Sequence, residues 1–214
     1  MPDPVQRAIA LVLAVLTAPL LLALALAVRV DSRGPFLYQA ERMGAGGQPF
    51  RCLKLRTMKA ARTGLGPGVT TGRDPRVTRV GGLLRRFRLD ELPQLWNVAR
   101  GQMRLVGPRP EDPRFVDMNL PLHRVVFTAR PGIAGLTQLV YADETGLLAG
   151  AADPDTHYRE AILPRKVVID AAYLRNRSTR LDLWILAKTP MALLGRPIHL
   201  PAGIQAAIEE PTDA

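Results

Sequence analysis

Leu84–Pro110 reads LRRFRLDELPQLWNVARGQMRLVGPRP, and the order of its charges governs how the rest of the chain is read. Three arginines in four residues (Arg85, Arg86, Arg88) run straight into the adjacent carboxylates Asp90 and Glu91. The stretch closes on Arg109, held between Pro108 and Pro110. Proline has no N–H and is tolerated in the first turn of a helix, so Pro93 predicts a helix over Leu92–Val98 that starts near Asp90. Asp90 then falls at or beside the N-cap, where free N–H groups and the positive dipole end favour a negative charge. A carboxylate kept ionised there, among arginines, can act as a nucleophile or a metal ligand toward phosphate. A plain capping aspartate with solvated basic neighbours accounts for the same residues, since perturbed acids mark functional sites only as a tendency.

The 214 residues suffice for a real core in one domain or at most two. Lys+Arg is 29 against 19 acids, and arginine outnumbers lysine 25 to 4. Arginine's planar fork suits phosphate and carboxylate, so an anionic partner is expected: a nucleic acid, an anionic membrane surface or a phosphorylated substrate. Aromatic residues are only 5%, which argues against a nucleic acid read by base stacking. The single cysteine, Cys52, excludes an internal disulfide, and no Cys/His spacing suggests zinc. His123, His157 and His199 are scattered and receive no role.

Ala8–Val28 is 21 residues without a charge, bracketed by Arg7 and Arg29, long enough to span a bilayer core. A spanning helix, a re-entrant helix and a signal peptide compete for it. The signal reading has Ala25-Leu26-Ala27 in its favour, but the run is too long for one and Arg29 and Arg33 follow at once. Pro19 removes a helical hydrogen bond at mid-run, which predicts a kink or break. Positive charge at both ends leaves the translocated side open.

Pro35–Arg42 and Gln48–Thr57 flank Gly44-Ala45-Gly46-Gly47 and predict a β-hairpin. On its second strand Lys54 and Arg56 share a face, two cations within reach of one diphosphate or a solvated basic edge. Residues 62–74 carry four glycines and no apolar period, a mobile loop that serves as a lid or a connector. It holds neither a P-loop nor a dinucleotide fingerprint. Arg130-Pro131-Gly132 opens a turn into Ile133–Val140, Ala142–Pro154 reads as a loop, and Arg165–Asn176 as a helix. Leu181–Leu194, with Trp184, Lys188 and Pro190, suits a core helix or a membrane interface.

Taken in order, these pieces resemble the bacterial sugar transferase family, the monotopic phosphoglycosyl transferases. The resemblance rests on an apolar helix with central Pro19, Gly34-Pro35 through Gln39 and Arg42, and Lys54-Leu55-Arg56-Thr57-Met58. It continues through Asp74, Arg76-Val77-Thr78-Arg79, Leu83-Leu84-Arg85-Arg86, Leu89–Leu95 and Asn97-Val98. Val106–Pro110, Arg130–Ile133 with Gly135 and Gln138, and Asp182-Leu183 complete it, roughly Arg7 to Gly195.

The resemblance implies transfer of a phosphosugar from a nucleotide diphosphosugar to polyprenyl phosphate, with Mg²⁺, at the cytoplasmic face of the bacterial plasma membrane. It implies Asp90 as the nucleophile, Glu91 as its dyad partner, and metal held by both. Lys54, Arg56, Arg85, Pro108, Arg109, Pro110 and Arg130 are expected at the substrate. The fold expected is α+β and mainly helical, with a small β-hairpin, amphipathic interfacial helices and a re-entrant membrane helix broken at Pro19. Residues 1–33 would be membrane-inserted, 34–195 the catalytic domain and 196–214 a tail, the minimal form of the family. The oligomeric state stays open, a dimer included, and no nucleic acid is expected as partner.

The chain departs from the family pattern at four places: Ala18 precedes Pro19 where serine is usual, Gln6 stands for an aspartate, Gln102 for an acid, and Leu139–Ala142 for asparagine-glycine-arginine. Two other activities share the features. In a membrane-bound metal-dependent nucleotide-sugar hydrolase, water attacks in place of Asp90. A non-enzymatic basic membrane or nucleic-acid binder explains the charge and the apolar run but not the carboxylate pair or Pro-Arg-Pro.

Overall fold

The computed structural model describes residues 1–59, 69, 74–142, 144–148 and 150–209. Most of the glycine-rich stretch 62–74, read above as a lid or connector, lies outside them. The architecture is α+β and mainly helical, with two sheets of two strands each among the described residues.

Helix α1 (Asp3–Asp31) is one element that contains Pro19, so the kink or break expected there does not split it into two helices. A proline costs an isolated helix about 3 kcal/mol through one lost hydrogen bond and a carbonyl clash. Packing on both sides of Pro19 offsets that loss here. Ala10 and Ala14 join the main core beside Val98, while Leu21, Leu24 and Val28 pack with Leu55 and Leu84. On each side of Pro19 these contacts recur every three or four residues, but none of them falls between Ala14 and Leu21, where the helix is mostly exposed. The opposite face leaves Val12, Val15, Leu16, Leu22 and Leu26 exposed.

Both ends of α1 are fastened to the same body. At the start, the Gln6 carboxamide oxygen accepts from Leu105 N–H (2.9 Å) and Arg7 Nε donates to the Ala99 carbonyl (3.0 Å). Asp3 pairs with Arg104 and with Arg130. At the other end Arg56 fans out over the last carbonyls, from Nη2 to Ser32 O (2.6 Å) and from Nη1 to Arg33 O (2.9 Å). Gly34, at φ +121°, makes room for it: a Cβ there would overlap Arg56 Nη1.

The hairpin forms as expected. Strands β1 (Leu37–Met43) and β2 (Pro49–Leu55) pair antiparallel, Leu37 opposite Leu55 and Met43 opposite Pro49. Helix α2 (Arg79–Arg86) is capped by Thr78, whose Oγ1 accepts from Gly81 N–H (2.9 Å). A 3₁₀ turn, Leu89–Glu91, then leads into α3 (Gln94–Ala99). Strands β3 (Arg104–Val106) and β4 (Gly132–Ala134) pair in parallel and bracket α4 (Pro121–Thr128) in sequence.

The remaining helices are α5 (Leu136–Val140), α6 (Glu144–Leu147), α7 (Pro154–His157), α8 (Leu163–Arg175), α9 (Thr179–Leu193) and α10 (Ala202–Glu209). A π-helical turn, Tyr158–Ile162, joins α7 to α8. The segment after Arg196, expected as a tail, supplies α10, whose Ile204 is buried in the main core.

Candidate active site

Asn97 fixes the floor of the site. Its Oδ1 accepts from Leu53 N–H (2.9 Å) and its Nδ2 donates to the Arg51 carbonyl (2.9 Å). Those two bonds tie α3 to β2, and so bring the Asp90-Glu91 turn beside Lys54. Arg88 shapes that turn: it takes the left-handed conformation (φ 52°, ψ 24°), alone among the described non-glycine residues. Backbone strain of this kind is held only where the surroundings enforce it and gathers at functional sites.

The result is a cavity of about 500 Å³ whose wall includes Lys54, Arg85, Arg88, Asp90, Glu91 and Arg109. Lys54 Nζ donates to Glu91 Oε1 (2.9 Å), and Arg85 Nε to Thr57 Oγ1 (2.7 Å). Pro110 also reaches the wall, beside Arg109. Pro108 serves the sheet instead, where its carbonyl accepts from Gly132 N–H (2.8 Å).

Asp90 is not the helix cap that Pro93 suggested. The 3₁₀ turn comes first and Pro93 itself occupies the N-cap position of α3. Nor is its carboxyl kept readily ionised. Burial pushes the Asp90 carboxyl above the usual aspartate value, and Glu91 adds to the push against Lys54 and Arg85. Glu91 behaves in the opposite way: burial disfavours its charge, yet Lys54, Arg109 and Arg88 outweigh it and hold the carboxyl down to about 2. Adjacent acids in one turn thus have divergent ionisation, the pattern that separates chemical roles.

Two expected substrate residues lie elsewhere. Lys54 lines the cavity from β2, but β2 ends at Leu55, and Arg56 leaves the hairpin to cap α1 and does not line the cavity. Arg130 donates from Nη1 to Asp3 Oδ2 (2.7 Å) at the start of α1. In exchange the structure surrounds Arg109 with Glu111, Glu144 and Asp170, which the sequence did not single out. Burial opposes the Arg109 charge, but Glu144, Glu91 and Glu111 more than compensate and raise its pKa. Lys166 Nζ donates to Tyr158 Oη (2.6 Å) and Glu144 Oε2 (3.0 Å) and pairs with Glu111 Oε1 (2.6 Å). Asp170 accepts from Arg109 N–H (3.1 Å) and Thr137 Oγ1 (3.1 Å), and burial lifts its carboxyl to about 7. The signal available was Lys166 and Asp170 at i and i+4, on the same face of a helix, a charged pair that has to find a polar wall once that face is buried.

Among the described residues no three His, Cys, Asp or Glu side chains converge as a metal cage. Asp90 and Glu91 are a two-carboxylate set of hard oxygen donors. Mg²⁺ takes such a set when substrate phosphates and water complete its octahedron, so the residues fit a cation that arrives with a diphosphate.

The family model of bacterial sugar transferases matches residues 3–196, and the chain belongs to that family. Among similar proteins, a UDP-glucose:undecaprenyl-phosphate glucose-1-phosphate transferase of Caulobacter vibrioides is 40% identical over 188 residues, 86% of this chain and 66% of that protein. A UDP-N-acetylgalactosamine-undecaprenyl-phosphate N-acetylgalactosaminephosphotransferase of Aeromonas hydrophila is 37% identical over 84% of this chain and 40% of its own. An undecaprenyl-phosphate glucose phosphotransferase of Komagataeibacter xylinus is 41% identical over 80% and 32% respectively. The chain therefore spans from about a third to just under two thirds of the length of these relatives.

Proposed function

We propose that the chain transfers a sugar 1-phosphate from a nucleotide diphosphosugar to polyprenyl phosphate, through a covalent intermediate on Asp90. The observation that carries this reading is the Asp90-Glu91 pair on the wall of a cavity shared with Lys54, Arg85, Arg88 and Arg109. The names of the relatives support the substrate classes, a UDP-sugar and undecaprenyl phosphate. The exposed apolar face of α1 supports work at a bilayer, which we place at the cytoplasmic face of the bacterial plasma membrane, where nucleotide sugars are made.

In the first step an Asp90 carboxylate oxygen forms a bond to the sugar-bearing phosphorus. The bond from that phosphorus to the bridging oxygen breaks, and nucleoside monophosphate leaves with the electron pair. In the second step a phosphate oxygen of the polyprenyl carrier attacks the same phosphorus, and Asp90 departs as a carboxylate. A buried, poorly solvated carboxylate is a strong nucleophile once ionised, and the surrounding cations favour that form as phosphate enters. Arg85, Arg88 and Arg109 are placed to take the charge on the transferring oxygens, where positioning and neutralisation supply most of the catalysis. Glu91, charged throughout the physiological range, keeps Lys54 in place and pairs with Asp90 as a metal donor. Mg²⁺ bound there would neutralise the diphosphate of the donor.

Donor alone should leave a phosphosugar on the Asp90 peptide by mass spectrometry, and release of monophosphate should need polyprenyl phosphate to continue. Steady monophosphate release with donor and water only, and no adduct, would make the protein a hydrolase.

A further inference from the structure

A second cavity lies at the other end of α3 from the first. Its wall consists of Asp3, Pro4, Arg7, Arg100, Gly101 and Arg130. Gln94, which opens α3, faces the first cavity, whereas Arg100 and Gly101 close α3 at the second. The six residues between rise roughly 9 Å, so the two are separate places. No part of the reaction above uses the second one.

Its charge is strongly positive. Asp3 is the single acid on the wall, and it already pairs with Arg104 and Arg130. Among the described residues Arg7 and Arg100 have no carboxylate partner. Arg7 donates only from Nε, to the Ala99 carbonyl, and the Arg100 guanidinium stacks 5.2 Å from the Trp96 ring centroid. The terminal nitrogens of both arginines thus stay available for paired contacts to one anion. Arg130 adds a buried Nε that has no acceptor. Three guanidinium groups around one concavity hold more cation than the neighbouring carboxylate neutralises. Their position is also informative: Arg7 begins the apolar run of α1, and Trp96 is 44% exposed next to it. Tryptophan at that level beside an apolar helix suits a membrane–water boundary, where phosphate headgroups lie.

We propose that this cavity binds a phosphate group, independently of the catalytic cavity, through Arg7, Arg100 and Arg130. The ligand class is a phosphate ester of the membrane surface or free phosphate, which share the anion that the guanidiniums recognise. Binding draws Arg100 from the Trp96 ring, so Trp96 reports on occupancy.

The test uses the full chain in a zwitterionic detergent, with Trp184→Phe to leave Trp96 as the only tryptophan. Phosphatidylglycerol is titrated into the micelles in one series and inorganic phosphate in another, and Trp96 emission is followed. We expect a saturable change whose midpoint rises about tenfold in Arg7→Gln, the loss expected for one charge-assisted hydrogen bond. Arg165→Gln, an equal loss of charge at an exposed position of α8, should move it less than about twofold. A response to phosphatidylglycerol alone identifies a lipid headgroup, and a response to both identifies phosphate itself. No saturable response to either, or equal weakening by Arg165→Gln, overturns the proposal. Arg7→Gln is compared only after its melting temperature matches that of the parent; should it not, Arg100→Gln, followed by ³¹P linewidth, replaces it under the same criteria.

Discussion

At Asp90 the carboxyl is buried, while the Lys54 ammonium bonds to Glu91 instead. Its folded pKa therefore lies above its unfolded value, and folding favours the protonated form. That contribution is complete below the unfolded pKa and disappears as pH rises through the folded one. At neutral pH the ionised Asp90 is a net burden on stability. Asp90→Asn should abolish turnover and adduct formation yet raise the melting temperature by about 2–4 °C, measured calorimetrically with chelator present. A variant that stays active removes Asp90 as nucleophile. Asp170 follows the same sign with a folded pKa of about 7. The melting temperature of Asp170→Asn minus that of the parent should grow from about pH 4 to about pH 7 and level off above. A difference flat across that range would show that Asp170 does not titrate there. Arg109 lies among Glu91, Glu111 and Glu144 and faces the cavity, so its fork and not only its charge matters. Arg109→Lys should lower kcat by about 100-fold in a folded protein. Parental kinetics would return Arg109 to a structural turn.

Among the elements, α1 depends most on its clamps. Arg56 satisfies carbonyls that every helix end leaves without partners, and Gly34 admits it at a φ that favours glycine. Gly34→Ala strains the backbone and displaces Arg56 together. It should lower the unfolding free energy by about 1–3 kcal/mol, read from denaturation in detergent, with the cavity residues untouched. An unchanged midpoint would mean that the α1 end is held by its apolar contacts at Leu55 and Leu84. The hairpin needs no such help: its register follows from the glycine-rich turn and sets buried Ala40 opposite buried Cys52.

For the whole molecule, the clamps at Gln6 and Arg7 and at Val28 and Ser32 fasten both ends of α1 to one body. An apolar helix held at both ends to one body cannot send one end across a bilayer without breaking those bonds. Cysteines placed at positions 2 and 32, in a Cys52→Ser background, should both resist an impermeant label applied outside intact cells. Labelling of position 2 alone would mean that α1 spans and that its start detaches in the membrane. Because the helix already runs through Pro19, Pro19→Leu should leave this pattern unchanged, where a proline-made break would predict a flip.

Periodicity and local chemistry are written along the chain, and these the sequence determined by itself. The apolar extent of α1, the hairpin and its turn, the Asp90-Glu91 pair and the arginine between prolines were all legible, because each depends on neighbours within a few residues. What only the tertiary structure decided is where long side chains end. Arg56 and Lys54 have the same strand parity, yet Arg56 meets Ser32 and Lys54 meets Glu91, partners 24 and 37 positions away. Arg130 meets Asp3 across 127 positions. Burial raised the Asp90 carboxyl and converging cations lowered that of Glu91, and both effects belong to the packed whole. Two adjacent carboxylates in one turn differ because Arg109 and Arg88 join Lys54 at Glu91 while burial outweighs Lys54 at Asp90, and no spacing rule records that convergence.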